Sequence, residues 1–303
     1  GGASAVMYSA TGPDGERVLS APVRVRLDRD EDAPADGFFG VFPLPSRCGE
    51  LTGLTVRDGR GKIWFDGIID ELERNESGGL LTVSARSRAA LLLDNEARPQ
   101  NYENPSLSTI FERHIRPYGF SGFLGNGRAF SGTLAVTKGM SEWSAAAAFC
   151  AAFPGTSPRV SGGVFDASGA VPEREVRFGP GGIPFSSAVL RSSYCSLLSE
   201  LSVLSGDGGS YASAASDPGA VTLGIRRKRF LSGGASGAEK AMRRARRDSF
   251  AAVLDCPGDV WAPLLSPADV PGLRLPDGPL YLSAARYVLD ADGEHTGFTL
   301  RRR

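Results

Sequence analysis

"KIWFDGIIDELERNESGGLLTVSARS" (residues 62–87) is the stretch that decides the fold of the N-terminal part of the chain. Two apolar segments, "KIWFDGIIDEL" and "LLTVSARS", flank the turn sequence "RNESGG". Gly78 and Gly79 in that turn can supply the positive φ angles that a tight hairpin requires. The stretch therefore predicts two antiparallel strands, and Gly67 inside the first strand predicts a bulge or a tight corner.

Three acids of the first strand raise a question about function. Asp66, Asp70 and Glu71 lie among apolar residues, so they could be the carboxylates of a hydrolase or the outward-facing positions of a barrel strand. A retaining glycosidase needs two carboxyl groups ~5 Å apart, and an inverting one needs a wider pair. On an ideal strand the Cα atoms of Asp66 and Asp70 lie roughly 13 Å apart, too far for a direct pair. We therefore interpret these acids as surface or interface groups of a strand.

The residues before this hairpin also have the pattern of strands. "VRVRLD" (23–28) alternates apolar and charged residues, and "LTVRD" (54–58) is a second short strand. Between them, "DRDEDAPAD" (28–36) resembles the start of a calcium loop. It has Ala33 where such a loop needs glycine and Phe39 where it needs a bidentate glutamate, so a solvated acidic turn is the favoured interpretation.

A first helix is predicted near residues 105–116. Asn104 is its predicted N-cap and Pro105 its first residue, and Pro117 and Gly119 end it. Its apolar residues recur at the spacing of a helix that packs on a core. They are Leu107, Ile110, Phe111 and Ile115.

A second helix is predicted over "SEWSAAAAFCAAF" (141–153), with Ser141 as its cap and Pro154 and Gly155 after its end. One face of this helix carries Trp143, Ala147, Cys150 and Ala151, and Cys150 is expected to be a small core residue.

One stretch carries a strong excess of one charge. Residues 226–247 hold nine Lys or Arg residues and a single acid, Glu239. The pattern predicts a strand over 221–231 and a third helix over 235–253. It is typical of a solvated helix face after a charged strand end, but it could also face an acidic partner or nucleic acid. The candidate assembly or partner surface consists of Arg226, Arg227, Lys228, Arg229, Arg243, Arg244, Arg246 and Arg247.

The composition excludes several classes of function. The 303 residues hold 34 basic and 34 acidic side chains, and this zero net charge argues against a generic nucleic-acid binder. Two histidines and four scattered cysteines form no metal-binding or redox motif, and no nucleophile or phosphate-binding motif is present. No apolar run approaches the ~20 residues that span a bilayer, and the first residues do not have a signal-peptide pattern. We expect no catalysis, cofactor, metal, small-molecule substrate or membrane anchor, and a cytoplasmic default location.

The C-terminal stretch "LYLSAARYVLDADGEHTGFTLRRR" (280–303) again predicts a hairpin, with strands at 280–290 and 297–301. It echoes residues 62–87, which suggests one small barrel near each end of the chain. The predicted fold is α+β and mainly β, with smaller α/β domains between two β-barrel domains. The predicted domains are a first barrel (1–96), an α/β domain (97–160), a small β-rich α/β domain (161–232) and a helix plus second barrel (233–303).

The order of these features resembles bacteriophage tail baseplate hub proteins, a family that includes the hubs of contractile-tailed phages such as Mu and T4 and the late control protein D relatives. The resemblance is densest over "IWFDGIIDELE" (63–73) and "VSARSRAALLLDNEARPQNYENPSLSTIFERHIRPYGF" (83–120). It continues over "KGMSEWSAAAAFCAAFPGTSPRV" (138–160) and "ARYVLDADGEHTGFTLRR" (285–302). Bacteriocin and type VI secretion spike proteins are related to this family.

The resemblance implies a homotrimer with two tube-forming barrel domains in each subunit. The implied trimer is a pseudo-hexameric ring that joins a six-fold tail tube to a three-fold central spike, with other baseplate components as further partners. It implies a location in the virion tail, assembled in the cytoplasm of the bacterial host. The spike would be a separate chain.

Two alternatives from other classes remain open. A tail-associated hydrolase of cell walls or polysaccharides would use carboxylates such as Asp66 or Asp70. A nucleic-acid-binding protein would use the basic residues of 226–247 and would bind with a steep salt dependence.

Overall fold

A computed structural model of the chain describes residues 4–275 and 278–303. Strands hold 43% of the residues and helices 17%, which confirms the predicted mainly β, α+β fold. The chain forms two compact units. One comprises the residues up to Val171 together with Arg286–Glu294, and the other comprises Pro172–Ala285 and His295–Arg303.

The strands that belong to the first unit precede residue 172. They are β1 (Met7–Gly12), β2 (Gly15–Val18), β3 (Arg24–Asp30), β4 (Gly37–Pro43), β5 (Gly53–Arg57), β6 (Ile63–Asn75), β7 (Leu80–Ser87), β8 (Gln100–Glu103), β9 (Gly122–Leu124), β10 (Thr133–Val136), β11 (Arg159–Ser161) and β12 (Val164–Asp166). Its helices are α1 (Ala90–Asp94), α2 (Leu107–Ile110) and α3 (Glu142–Ala152), with a π-helical turn at Phe111–Ile115 and a 3-10 turn at Arg116–Tyr118.

The remaining strands follow residue 172. They are β13 (Val176–Arg177), β14 (Ser187–Ser192), β15 (Glu200–Leu204), β16 (Tyr211–Ser216), β17 (Lys228–Leu231), β18 (Phe250–Pro257), β19 (Pro267–Asp269), β20 (Leu280–Asp290) and β21 (Gly293–Arg302). The helices here are α4 (Pro218–Thr222) and α5 (Ala235–Asp248), with a 3-10 turn at Tyr194–Ser196. Strands β20 and β21 each contribute residues to both units.

The main sheet of the first unit has the strand order β3-β4-β7-β6-β5-β1-β2, and every neighbouring pair in it is antiparallel. The predicted strand 80–87 coincides with β7, where Leu81, Val83 and Ala85 are buried because alternate residues face the core. Aromatic rings fill much of this core, with Tyr8 and Phe42 in edge contact at 5.3 Å. No sheet of the described residues closes into a barrel, so barrel closure stays a prediction.

The bulge predicted at Gly67 lies three residues further on. The β6–β7 register shifts between Ile69 and Glu71, so Asp70 is the extra residue. Gly67 is required for another reason, because a Cβ atom there would lie 2.1 Å from the carbonyl oxygen of Arg86. The glycine thus allows a close approach of two backbones, which is the other role of glycine in a strand.

The predicted first helix exists, but its cap is wrong. Ser106 is the N-cap, and its Oγ accepts the Thr109 N–H at 3.2 Å. Asn104 has a left-handed φ of 49°, and its side chain instead accepts the Gly132 N–H. The predicted apolar stripe is confirmed, since all four of its members are buried.

The second helix also exists and Ser141 caps it as predicted, by accepting the Ser144 N–H. Of the four residues predicted to share one face, Cys150 is buried as expected and Trp143 packs partly buried against the core. The buried residues of this helix are Glu142, Ala145, Ala146, Phe149 and Cys150. A run of alanines gives no contrast between faces, so packing rather than local pattern sets the orientation.

In the second unit, the sheet order is β14-β18-β21-β20, with β19 beside β20 and β13 beside β19. The predicted strand 221–231 is wrong in its first half, because Asp217 accepts the N–H groups of Gly219 and Ala220 and thereby caps α4. The predicted helix 235–253 ends at Asp248, and β18 begins at Phe250.

A separate three-stranded sheet, β16-β15-β17, packs against α5 through Leu201, Ala238 and Met242. None of the described helices has the length and apolar composition that crossing a bilayer requires.

Candidate functional site

Two of the three acids of the opening hairpin lie beside arginines. Arg86 donates to both oxygens of Asp70, at 2.7 and 2.9 Å, and to both oxygens of Asp94, at 3.0 and 2.7 Å. We call these three residues the Arg86 fork. Its hydrogen bonds lower the pKa of Asp94, so this carboxyl does not suit a general acid. Asp66 lies 3.9 Å from Arg88, and Glu71 is exposed.

The acidic loop 28–36 also has arginines close to its carboxylates. Burial raises the pKa of Asp36 to about 6, although Arg29 and Arg159 act in the opposite direction. Burial likewise lowers the pKa of Arg29, which is 7% exposed, to about 10. Among the described residues, no three His, Cys, Asp or Glu side chains form a group that could hold a metal ion.

A polar network around the buried His114 links four side chains of the first unit, and we call it the His114 cluster. The Nδ1 atom of His114 lies 2.6 Å from Glu142 Oε2, and its Nε2 atom lies 2.7 Å from the hydroxyl of Tyr102. The Tyr118 hydroxyl donates to Glu142 Oε1 at 2.9 Å. Burial and the neighbouring Glu142 raise the pKa of Tyr118 to about 12, so this phenol remains a donor.

The His114 cluster contains a Glu–His pair but has the geometry of a structural element. His114 is 1% exposed, and Tyr102 occupies the ring nitrogen that a general base would need for substrate. The cluster instead ties β8 and α3 to the turn Phe111–Ile115. The sequence did not predict this cluster. The one sign of it was that His114 lies on the apolar stripe of the first helix, where a histidine must be buried.

The first half of the predicted basic surface lies at β17. Arg227 donates to the carbonyl oxygens of Tyr194 and Leu197, at 2.9 and 2.8 Å. Lys228 forms a 2.7 Å ion pair with Glu200 on the neighbouring strand. Arg226 and Arg229 are exposed.

The second half lies on α5, where the arginines have acidic partners at different depths. Arg246 pairs at 2.9 Å with Asp217, whose side chain is only 9% exposed. Arg247 pairs with Asp248 at 2.9 Å. Arg243 and Arg244 are exposed and reach their partners, Glu239 and Asp248, at 3.9 and 3.8 Å. The structure thus brings both halves to one small sheet-and-helix layer, and their role in assembly or partner binding stays a prediction.

Two sheet edges are a further candidate surface. Strand β2 ends the main sheet of the first unit, and β14 ends the sheet of the second unit. Within the described residues, each pairs with a single neighbouring strand. An unpaired edge presents backbone N–H and C=O groups that another chain can use. These edges therefore suit assembly better than chemistry.

Comparison with protein-family models finds no match, and comparison with curated proteins finds none either. The fold, however, is that of known tail proteins. The tail protein from Neisseria meningitidis MC58 superposes with a TM-score of 0.76 and 20% identity, covering 98% of this chain and 96% of that one. The 43 kDa tail protein of prophage MuSo2 from Shewanella oneidensis gives 0.76 and 16% identity, over 98% of each chain.

A more distant neighbour comes from a secretion system. The E. coli c3393 protein is described as a component of the type VI secretion system with structural similarity to the T4 bacteriophage tail proteins gp27 and gp5. It superposes with a TM-score of 0.60 and 10% identity, covering 93% of this chain and 73% of that one. At these identities the likeness establishes a shared fold.

Proposed function

We propose that this chain is a structural protein of a phage-type tail. In this proposal it is a baseplate hub subunit, and three copies form a ring that joins the tail tube to the central spike. The observation that carries the proposal is the shared fold with two tail proteins over 98% of the chain. The sequence resemblance at 63–120 supports the hub role independently of that superposition.

A non-catalytic role is part of the proposal. The acids of the opening hairpin face arginines or solvent, and the Glu–His pair is sealed inside a core. Large complementary surfaces and paired strand edges are what a ring subunit needs, and closed symmetry would cover its exposed edges. The proposed location is the virion tail at the baseplate, after assembly in the host cytoplasm.

The first test is the mass of the full chain in solution, measured by light scattering after size exclusion over a concentration series. The proposal expects a species near three times 31.9 kDa, alone or after mixing with the tube and spike proteins of the same tail. Negative-stain imaging should then show rings. A chain that stays monomeric and binds neither protein would overturn the hub assignment. Cleavage of peptidoglycan by the pure chain would favour the hydrolase instead.

A further inference from the structure

We propose that the open face of the sheet β16-β15-β17 binds an acidic segment of another protein of the same tail. This inference rests on the proposed function and names the surface that holds one of the further tail components. The sheet lies within the second unit, and its side turned away from α5 carries two exposed aromatic side chains, Tyr211 and Phe230. We call this side the aromatic face.

Strand geometry separates the aromatic face from the packed face. Leu201 is buried against α5, and because side chains alternate along a strand, Ser202 and Leu204 of β15 point to the opposite side. Phe230 of β17 lies opposite Ser202, and Tyr211 of β16 lies opposite Leu204. Both aromatic side chains therefore stand on the side that α5 leaves open.

The two rings form an exposed apolar pair. Their centroids are 5.2 Å apart at an interplanar angle of 76°, which is an edge-to-face contact. Tyr211 is 51% exposed and Phe230 is 63% exposed, whereas Ser202 on the strand between them is only 9% exposed. Single exposed apolar side chains are common, but aromatic side chains that contact each other on an open sheet face are the kind of surface at which proteins bind.

The charge of this part of the chain determines the chemistry of the partner. Residues 194–249, which include the sheet and α5, contain nine basic and five acidic side chains, whereas the whole chain holds 34 of each. On the aromatic face, Glu200 is paired with Lys228 at 2.7 Å, so the carboxylate there is neutralised. A positive surface attracts acidic partners and disfavours basic ones. The segment that binds here is therefore acidic.

The size of the aromatic face favours a single segment over a second globular copy. Three strands of four to six residues cover roughly 200 Å², at ~3.3 Å per residue and ~4.8 Å between strands. A standard interface buries about 800 Å² on each partner. A second copy docked on this face alone would be held weakly, whereas an extended segment can place one apolar side chain against the two rings.

The geometry of the rings disfavours a single-stranded nucleic acid. Successive bases stack on separate aromatic faces in proteins that bind single strands. Here the edge of one ring covers the face of the other, so the pair does not offer two open faces.

Binding of the full chain to the separately purified tube, spike and other baseplate proteins of the same tail tests the inference by biolayer interferometry. We expect one of these proteins to bind, and its Kd to rise at least about ten-fold in Tyr211→Ser and in Phe230→Ser. The Kd should also rise at least about ten-fold from about 50 to about 500 mM salt, because salt screens the attraction between opposite charges. The matched control Tyr194→Ser changes a tyrosine outside the sheet that is 57% exposed, and it should bind like the wild type.

Several results would overturn the inference. They are binding of none of these proteins, equal affinities of the wild type and both aromatic variants, and an affinity that does not change with salt. The salt series needs no substitution, so it keeps the test decisive if a variant is unstable. Self-association that Phe230→Ser abolishes would identify a second copy as the occupant, and binding of a ~25-nucleotide oligo-dT that it abolishes would identify a nucleic acid.

Failure of this inference and failure of the proposed function are distinguishable. A trimeric ring that binds its partners equally well with and without Tyr211 and Phe230 would refute the aromatic face alone. A chain that neither forms a trimer nor binds any of these proteins would refute the hub assignment as well.

Discussion

The His114 cluster and the Arg86 fork use the same chemistry at different depths. Each joins ionisable groups through hydrogen bonds of 2.6–3.0 Å. In the fork, the side chains of Arg86, Asp70 and Asp94 are 36%, 30% and 48% exposed, whereas those of His114 and Glu142 are 1% and 8% exposed. Water can replace a lost partner in the fork and cannot do so at the His114–Glu142 pair.

The difference shows that short distances alone do not measure what an interaction contributes to stability. An exposed ion pair contributes little, because solvent screens it and two long side chains must be ordered. Replacing a whole buried pair by well-packed apolar side chains is often neutral or stabilising, yet losing one partner is costly because the other stays buried and unpaired. The following predictions test this contrast, from the largest expected effect to the smallest.

The largest effect is expected from Glu142→Ala. The substitution leaves the buried His114 and the partly buried Tyr118 without their shared acceptor, so the free energy of unfolding should fall by about 3–5 kcal/mol. Urea denaturation followed by tryptophan fluorescence measures this, because Trp143 lies next to Glu142 and packs on Phe165.

The matched control for Glu142→Ala is Glu112→Ala, which removes an exposed pair with Arg116 at 2.8 Å. Its cost should stay below about 1 kcal/mol. A Glu142→Ala variant as stable as this control would mean that the cluster is more hydrated than its burial indicates.

The second prediction concerns the pH dependence of the Asp36 loop. The pKa of Asp36 is about 6 in the folded state and 3.8 in the unfolded chain. Between pH 3.8 and pH 6, the folded state therefore holds a proton that the unfolded state has lost. The contribution of this group to stability is therefore full below pH 3.8 and is lost as pH rises through 6. The loss should reach about 3 kcal/mol.

To isolate this group, the unfolding free energies of wild type and Asp36→Asn are compared from pH 4 to pH 7.5. The wild type should lose stability relative to the variant across that range. Asp14→Asn, which changes an exposed aspartate, should run parallel to the wild type. Parallel curves for Asp36→Asn as well would refute the assigned cause.

The third prediction concerns the exposed Arg86 fork. Arg86→Ala removes four hydrogen bonds, yet we expect a loss of only about 1 kcal/mol, because all three side chains reach solvent. In 1 M salt the loss should shrink further, since the screening length there is about 3 Å. A loss as large as that of Glu142→Ala, independent of salt, would show that the fork behaves as a buried network.

The sequence predicted some elements well, where a turn and an apolar run marked them clearly, and missed others, such as β4 with its buried Phe38 and Phe42. Strand 80–87 was predicted at its observed bounds because a turn with Gly78 and Gly79 precedes its apolar run. The orientation of the helix at 141–153 was not predicted, since Ala145–Ala148 look the same from every side. Capping also failed at Asn104, whose partner Gly132 is 28 residues away.

The polar clusters could not be predicted either, because their members are far apart in the sequence. His114 and Glu142 are separated by 28 positions, and only tertiary packing brings them to 2.6 Å. The basic stretch was visible as a run of charge, but the run hides the difference between Arg246, which pairs with a nearly buried aspartate, and Arg243, which does not. A charge pattern shows where cations are, while the fold determines which of them have structural roles.

The smallest effect on stability is expected for Arg243→Ala and Arg244→Ala on α5. Their acidic partners lie at 3.9 and 3.8 Å, and the two arginine side chains are 63% and 72% exposed, so the free energy of unfolding should change by less than about 0.5 kcal/mol. This near-zero effect makes the two variants clean probes of the predicted partner surface, because weakened assembly with tube or spike protein could not result from unfolding. Unchanged assembly would assign these residues to the solvated face of α5. A loss of stability comparable to that of Arg86→Ala would show that exposure does not govern the strength of these pairs.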